Sequence, residues 1–451
     1  MGNTYTHDFI VIGGGPGGYA AAENAAYFGA RVCIIERSDW GGTCTHRGCI
    51  PTKALLASSK RFSDLKKLKR LGISVGDSSF DFEAIKRHQM QMVRLSAMGI
   101  EITLREAGVE LKMGEGVLVG NNEVEFRSPA GERQMLSAPY IAIAWGSEPK
   151  QLPILRRGPK ILTSDEFLNL TTLPKKVIIV GANVIGVEFA TFLAEMGSSV
   201  TLVEILERIL PYEDEEAAEL LEKDLKQLGV SIYTSTYIKG AQETPDGIAV
   251  EAEKGGQGLT LEGDCILLCV GRKPRLYKEQ LDAVGLAYTE EGIVVDKRMR
   301  TNIPGIFAVG DVTGGMMLAH RAIQQGRALA SCLFGDGTIT YIEEAVPSVV
   351  YSHPPLARVG FTVREARNKG LDIEVIKKDY SANIMARTEL AGQGFVKYVF
   401  HENRLIGATI FGAESSELIV SLGLAVAGRI ERQVLSSWII PHPTLSEVLR
   451  I

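Results

Sequence analysis

Short apolar runs broken by glycine clusters recur along this chain, in the rhythm of strand, turn and helix. Asp8–Ile12 is an apolar run, Gly13 to Gly18 a glycine-rich turn, and Tyr19–Phe28 a small-residue stretch with helical spacing. Gly29 closes that helix, and Arg31–Ile35 is the next apolar run. The unit returns as Lys176–Val180, a turn at Gly181–Gly186, a helical stretch Val187–Met196 stopped by Gly197, and a run at Ser199–Val203. Two strand–helix–strand units in one chain predict an α/β protein with two doubly wound domains. Between them, Phe82 to about Ala107 reads as a long helix, followed by short strands up to Ile143. Pro149, Pro153 and Pro159 mark a crossover, and Thr301 to Ala319 is a further glycine-rich region. From Tyr341 the rhythm changes. Strands at Ser348–Tyr351, Ile373–Lys378, Gly394–Phe400 and Leu405–Phe411 mix with helices at Val363–Asn368 and Ser416–Ala427. That pattern predicts a C-terminal α+β domain with a partly antiparallel sheet.

Composition narrows this little. A chain of 451 residues exceeds one core and suggests roughly three or four units. The balance of 49 basic against 54 acidic residues argues against nucleic acid and an anionic membrane surface as partners. No stretch approaches the ~20 apolar residues of a membrane span. Met1 to Asp8 is polar and runs straight into a strand, unlike a signal peptide, so the cytoplasm is the expected compartment. Six cysteines are too few for a secreted disulfide framework in so long a chain. Cys33, Cys265, Cys269 and Cys332 lie among apolar residues and read as small core residues.

The turns carry the chemistry. Gly13, Gly15 and Gly18 form G-x-G-x-x-G after a strand and before a helix. Gly13 permits the tight turn, Gly15 the approach of a pyrophosphate, and Gly18 close helix–strand packing. Glu36, ending the next strand, is placed to accept ribose hydroxyls. These features predict a dinucleotide site. In the second copy, Gly181 and Gly186 remain, but Asn183 stands at the middle position. Asn tolerates a left-handed backbone, yet its side chain occupies the approach. Glu204 ends the following strand, and an acid there favours the free 2′-hydroxyl of NAD over the 2′-phosphate of NADP.

Cys44 and Cys49 sit in a polar, glycine-rich stretch. Residues five apart in one regular helix are too distant for a disulfide, so a bridge needs a bend, which Gly41, Gly42 and Gly48 make cheap. Arg47, Lys53 and a following helix N-terminus favour thiolate. A redox-active pair, two buried thiols and half of a metal site are the alternatives. No Cys/His pair elsewhere has zinc spacing, so no metal is expected.

The run Gly41-Gly42-Thr43-Cys44 to Gly48-Cys49-Ile50-Pro51-Thr52-Lys53, following the first glycine turn, resembles the pyridine nucleotide–disulfide oxidoreductases. The resemblance spans the chain. Gly186-Val187-Glu188-Phe189-Ala190 extends the second turn, and Val270-Gly271-Arg272-Lys273-Pro274 is similar to the segment closing that family's NAD domain. Gly305-Ile306-Phe307-Ala308-Val309-Gly310-Asp311 is similar to its second FAD motif, and His442-Pro443-Thr444-Leu445-Ser446-Glu447 to its C-terminal signature. Within the family, the pattern is nearest to members that oxidise dihydrolipoamide.

The resemblance implies an FAD domain at 1–148, an NAD domain at 149–273, a central domain at 274–340 completing the FAD site, and an interface domain at 341–451. It implies FAD held by Gly13, Gly15, Gly18, Glu36, Gly42, Thr43, Lys53, Gly146, Gly310 and Asp311, and NAD held by Gly181, Asn183, Gly186, Glu204 and Gly271. Catalysis would fall to a Cys44–Cys49 disulfide, to His442 oriented by Glu447, and to Lys53 paired with Glu188. The expected assembly is a homodimer with sites shared between chains. The expected substrate is the lipoyl domain of a 2-oxo acid dehydrogenase or glycine cleavage complex. An NAD(P)H-dependent reductase of another disulfide and a flavin-binding interaction subunit of low turnover are the alternative readings. The chain departs from the family pattern at His46 between the cysteines, Trp145 where A-T-G is usual, Asn183, and Pro355 after His353-Pro354.

Overall fold

The computed structural model describes residues 5–155 and 158–451. Met1–Thr4, the start of the polar N-terminal stretch, and Arg156 and Arg157, in the proline-marked crossover, lie outside the described residues. Two compact units share the chain. One holds the segments up to Ala54, Ala84–Lys150 and Arg272–Tyr341, and the other Leu55–Glu83, Gln151–Gly271 and Ile342–Ile451. Among the described residues, no helix is long and apolar enough to cross a membrane.

The first unit is built on a five-stranded sheet in the order Ile306–Ala308, Tyr140–Ile143, Phe9–Ile12, Val32–Glu36, Glu110–Met113. Every pairing is parallel. All four residues of Phe9–Ile12 are buried, as a parallel strand covered on both faces requires. Phe9, Val11 and Ile34 face one core; Ile10, Ile12, Cys33 and Ile35 face the other. The helix after the first strand is Pro16–Tyr27. It begins before the expected Tyr19 because Pro16 suits the first helical turn, where no amide is needed. It lies against Ala319–Phe334, with Gly326 so close that a Cβ there would sit 2.4 Å from the Gly17 carbonyl. A three-stranded antiparallel sheet, Glu115–Gly120, Glu123–Arg127 and Arg133–Ser137, completes this unit's β-structure alongside two short two-stranded pairings.

The second unit repeats the parallel plan. Its five-stranded sheet runs Ser231–Tyr233, Ser199–Val203, Lys176–Val180, Cys265–Leu268, Ile161–Thr163. Lys176–Val180 and Ser199–Val203 match the expected strands to the residue. An antiparallel meander, Thr236–Thr244, Gly247–Lys254 and Gln257–Gly263, was not anticipated. Its outer residues are polar and its apolar content is spread across alternating positions. The C-terminal part is a five-stranded antiparallel sheet, Ser348–Val350, Leu356–Gly360, Arg404–Gly412, Gly394–His401, Glu374–Asp379. Helix Ser415–Ala427 covers it, burying Leu418, Ile419 and Leu422. The architecture is α/β, with two doubly wound dinucleotide-binding domains and a C-terminal α+β domain.

Ion pairs within this unit join helix Glu215–Gln227 to the antiparallel sheet. Asp214 caps the helix by accepting from the Ala217 amide and also pairs with Lys397 at 2.8 Å. Lys377 and Lys397 both reach Glu216. Arg358 meets Glu213 at 2.8 Å, as a charge pair without good hydrogen-bond alignment.

Candidate functional site

In open α/β sheets, ligands bind outside the carboxyl ends of the strands. At those ends in the first unit lie Gly13–Gly15, Glu36, Trp145–Gly146 and Gly310–Asp311. Gly13 has φ 117°, and a Cβ there would lie 2.2 Å from the Ala144 carbonyl. A Cβ on Gly18 would meet the Gly13 carbonyl at 1.8 Å, so the helix can approach the strand only with glycine. Gly15 faces open space and caps helix Pro16–Tyr27 without a side-chain bond. The first-turn amides are therefore free of a side-chain cap and suited to an anion. Gly42 (φ 56°) brings the short helix Gly42–Arg47, with Thr43, against Gly15.

Glu36 is 7% exposed and accepts from the Gly14 amide at 2.7 Å and the Ser38 amide at 2.8 Å. Asp311 accepts from Ser147 Oγ at 2.6 Å, and Ser147 Oγ accepts from Arg272 Nε at 2.9 Å. The Gly310 amide donates to Gln325. An open glycine, an uncapped helix start and carboxylates fixed at the strand ends fit a dinucleotide with a diphosphate, as FAD is.

Cys44 belongs to helix Gly42–Arg47, and Cys49 opens helix Cys49–Asp64; Gly48, at φ −149° and ψ −107°, makes the bend between them. Cys44 hydrogen-bonds with Cys49, which raises its thiol pKa well above the ordinary value. Burial and the charge on Cys49 add to this, while Lys53 opposes it. Lys53 stands one turn after Cys49 on the same helix. His46 is tied back to the turn through its Nε2, 3.0 Å from the Trp40 carbonyl. Tyr19 was missed by the sequence reading. Burial pushes its phenol up to about 12, with further contributions from Cys44, Glu23 and Cys49, so it lies near the cysteine pair. Its only sequence signal is its place one helical turn beyond Gly15.

The second unit reproduces the first turn. Gly181 has φ 101°, and a Cβ there would sit 2.4 Å from the Cys269 carbonyl. One on Gly186 would sit 1.9 Å from the Gly181 carbonyl. Asn183 caps helix Val184–Glu195 with φ −87° and ψ −170°, ordinary extended backbone like Gly15 at −73° and −177°. No left-handed conformation is used, so Asn costs no strain and differs from glycine only by its side chain in the approach. Glu204 accepts from the Ala182 amide at 2.7 Å and the Leu206 amide at 3.0 Å. Gly271 has φ 96°. Glu188 is buried and accepts the Tyr351 amide at 3.1 Å. One face of the same helix also carries Glu195, which receives Ser59 at 2.6 Å and His353 at 2.7 Å.

His442 is exposed, with Nδ1 3.1 Å from both Glu447 oxygens. Glu447 sits in the turn Leu445–Leu449 and also takes the Thr444 amide at 3.2 Å. Hydrogen bonding by His442, then by Thr444, holds its carboxyl below the usual range. A carboxylate on Nδ1 fixes the ring and directs Nε2 chemistry outward, as in a general base.

Paired cysteines after a dinucleotide turn, a second such turn ending in an acid, and a Glu-braced histidine define a two-nucleotide thiol redox enzyme. Residues 7–326 match the model of the pyridine nucleotide-disulphide oxidoreductases, and residues 346–451 that family's dimerisation domain. The chain belongs to this family. It is 38% identical over 449 residues to a dihydrolipoyl dehydrogenase of Chlorobaculum tepidum, covering 98% of this chain and 95% of that one. It is 35% identical to one from Geobacillus stearothermophilus, covering 97% and 94%. Among solved structures, LpdA from Mycobacterium tuberculosis superposes with TM-score 0.91 at 28% identity, covering 98% of each chain. The HOCl-induced flavoprotein disulfide reductase RclA from Escherichia coli, in a Cu(II) complex, does so at 0.87 and 28%, covering 99% and 98%. The protein is a flavoprotein disulfide oxidoreductase whose cofactors are FAD and NAD, and it carries the family's dimerisation domain, that of a homodimer.

Proposed function

We propose that this protein oxidises protein-bound dihydrolipoyl groups to lipoyl groups with NAD⁺ as acceptor. The bend at Gly48 that lets Cys44 hydrogen-bond with Cys49 is the observation that carries this reading. In the oxidised enzyme the two sulfurs are joined. His442 Nε2 removes a proton from one substrate thiol, and the resulting thiolate attacks Cys44 Sγ. The Cys44–Cys49 bond breaks, and Cys49 leaves as a thiolate steadied by Lys53 and the helix N-terminus. The second substrate thiol passes its proton to Cys44 as its sulfur closes the lipoyl disulfide, so Cys44 leaves as a thiol and Cys49 keeps the electron pair as a thiolate. Bound FAD supplies acceptance of that electron pair and hydride delivery to NAD⁺. Overall, dithiol and NAD⁺ become disulfide, NADH and a proton.

Glu447 orients His442, and Lys53 and Glu188 are the further catalytic residues. Gly13, Gly15, Gly18, Glu36, Gly42, Thr43, Gly146, Gly310 and Asp311 hold FAD; Gly181, Asn183, Gly186, Glu204 and Gly271 hold NAD. The functional division is 1–148 for FAD, 149–273 for NAD, 274–340 completing the FAD site, and 341–451 for dimerisation. His442 serves the disulfide of the twin chain. The substrate is a lipoyl domain of a 2-oxo acid dehydrogenase or glycine cleavage complex, met in the cytoplasm. A steady-state assay with dihydrolipoamide and NAD⁺ tests the reading, and saturable NADH formation is expected. The likeness to RclA favours a second reading, a reductase of another disulfide. NADH-driven reduction of other disulfides without dihydrolipoamide turnover would replace the first reading with that one. Failure of NADH to bleach the flavin anaerobically would leave only a low-turnover binding subunit.

A further inference from the structure

Trp145, the bulky departure at the carboxyl end of strand Tyr140–Ile143, leads to a cluster of cations. Its side chain is buried, and its ring meets Tyr277 edge to face with centroids 4.8 Å apart. The Tyr277 hydroxyl accepts from Arg37 Nη1, and the Arg37 guanidinium carbon lies 6.0 Å from the Tyr277 ring centroid. Arg275 reaches the same place from two residues before Tyr277. Its Nη1 lies 3.4 Å from the Trp145 carbonyl, and its amide donates to the Gly146 carbonyl at 3.0 Å. Arg37 directly follows Glu36, the last residue of its strand. The whole group therefore stands at the strand ends where ligands bind in this fold.

The charge there is unbalanced. Burial lowers the pKa of Arg275, and repulsion by Arg37 and Arg47 lowers it further. Among the described residues, Glu148 is the one acidic partner of Arg275, 3.9 Å from its Nε, and it is shared with Lys273, which lies closer at 3.1 Å. Gathering the exposed Arg37 guanidinium beside the half-buried one of Arg275 is unfavourable until an anion joins them. A diphosphate brings two negative charges, and arginine matches phosphate oxygens with paired donors.

We propose that Arg275 and Arg37, set in place by the Trp145–Tyr277 pair, clamp the diphosphate–adenosine half of FAD. They are binding residues, remote in role from the thiol chemistry. Trp145 is then a buttress for the clamp, and its size is a requirement of the site. The proposal rests on FAD occupying this crevice and is independent of which disulfide the enzyme turns over.

Apoprotein titrated with FAD, followed by flavin fluorescence, tests it without any dithiol substrate. Arg275→Gln should weaken FAD binding roughly tenfold to a hundredfold, the effect of losing one charge-assisted contact. It should also flatten the salt dependence of binding, and Arg275→Lys should recover part of the affinity. The melting temperature of holoprotein should fall in Arg275→Gln while that of apoprotein stays unchanged. Trp145→Ala should weaken FAD binding in the same direction as Arg275→Gln. Unchanged FAD affinity in Arg275→Gln, or equal loss of apo and holo stability, would overturn the clamp. Absence of dihydrolipoamide turnover in the wild type would touch only the substrate reading, whereas loss of turnover in Arg275→Gln with FAD affinity intact would overturn the clamp.

Discussion

At Cys44 and Cys49, one glycine decides what two sulfurs can do. Gly48 ends one helix before Cys49 starts the next, so residues that a single helix would hold apart can bond. With Cys49 as the thiolate facing the flavin, two-electron reduction should give a long-wavelength absorbance band. Cys49→Ser should abolish the band, and Cys44→Ser should retain it. The opposite pattern would exchange the two roles. Glu447 makes a second prediction. Bonds from His442 and Thr444 favour its charged form, so its carboxyl titrates below the ordinary 4.5. Its bracing is fully present above that value and fades as pH falls through the lowered one. Glu447 should therefore contribute no loss of activity between about pH 5 and 8, and a limb in that window must belong to another group. Glu447→Gln should slow dithiol oxidation about tenfold to a hundredfold while leaving the reaction of NADH with the flavin intact; a matching fall in the NADH reaction would refute the assignment. The cysteines, the glycines and the two strand-end acids were legible in the sequence because their spacing is local. Tyr19 was not, because only the packing of a helix side chain brings it near the cysteines.

Among elements, the parallel strands were the most legible. Runs such as Val177–Val180 are apolar throughout and stopped by glycine, and burial on both faces leaves them no alternative reading. The meander Thr236–Gly263 hid because its strands alternate and carry many charges. Leu356–Gly360 hid because it is short and follows Pro354-Pro355. The ion pairs at helix Glu215–Gln227 were invisible for another reason, since their partners are more than a hundred residues away. Burial raises the pKa of Glu213 despite Arg358 beside it, the mark of an ion pair whose desolvation is large. Arg358→Met alone should lower stability by about 3–5 kcal/mol, since it leaves that carboxylate buried without its partner. Adding Glu213→Leu should restore most of the loss. Urea denaturation of the four variants measures this, and additive losses would show that the two residues act separately.

For the whole molecule, the question is which chain supplies each histidine. Cys44 and His442 lie in different compact units, near opposite ends of the sequence. If a two-fold dimer shares its sites, a hybrid of a Cys44→Ser chain with a His442→Ala chain has one doubly damaged site and one intact site. Doubly tagged hybrids should then turn over at about half the wild-type dimer rate, although each parent homodimer is nearly inactive. If each chain uses its own histidine, both sites carry one lesion and the hybrid stays as slow as its parents. The twofold internal repeat has a different consequence, for inheritance. Glu36 and Glu204 each hold an amide of their own glycine turn, across the same separation of 22 residues. A lineage that replaced Glu204 with a basic residue, to admit a phosphorylated ribose, would strand the Ala182 and Leu206 amides at the same moment. A single substitution therefore damages the scaffold before it changes the ligand. Coenzyme preference in such a chain can drift only if the strand end and its loop are exchanged as one block, which makes it a slowly evolving trait.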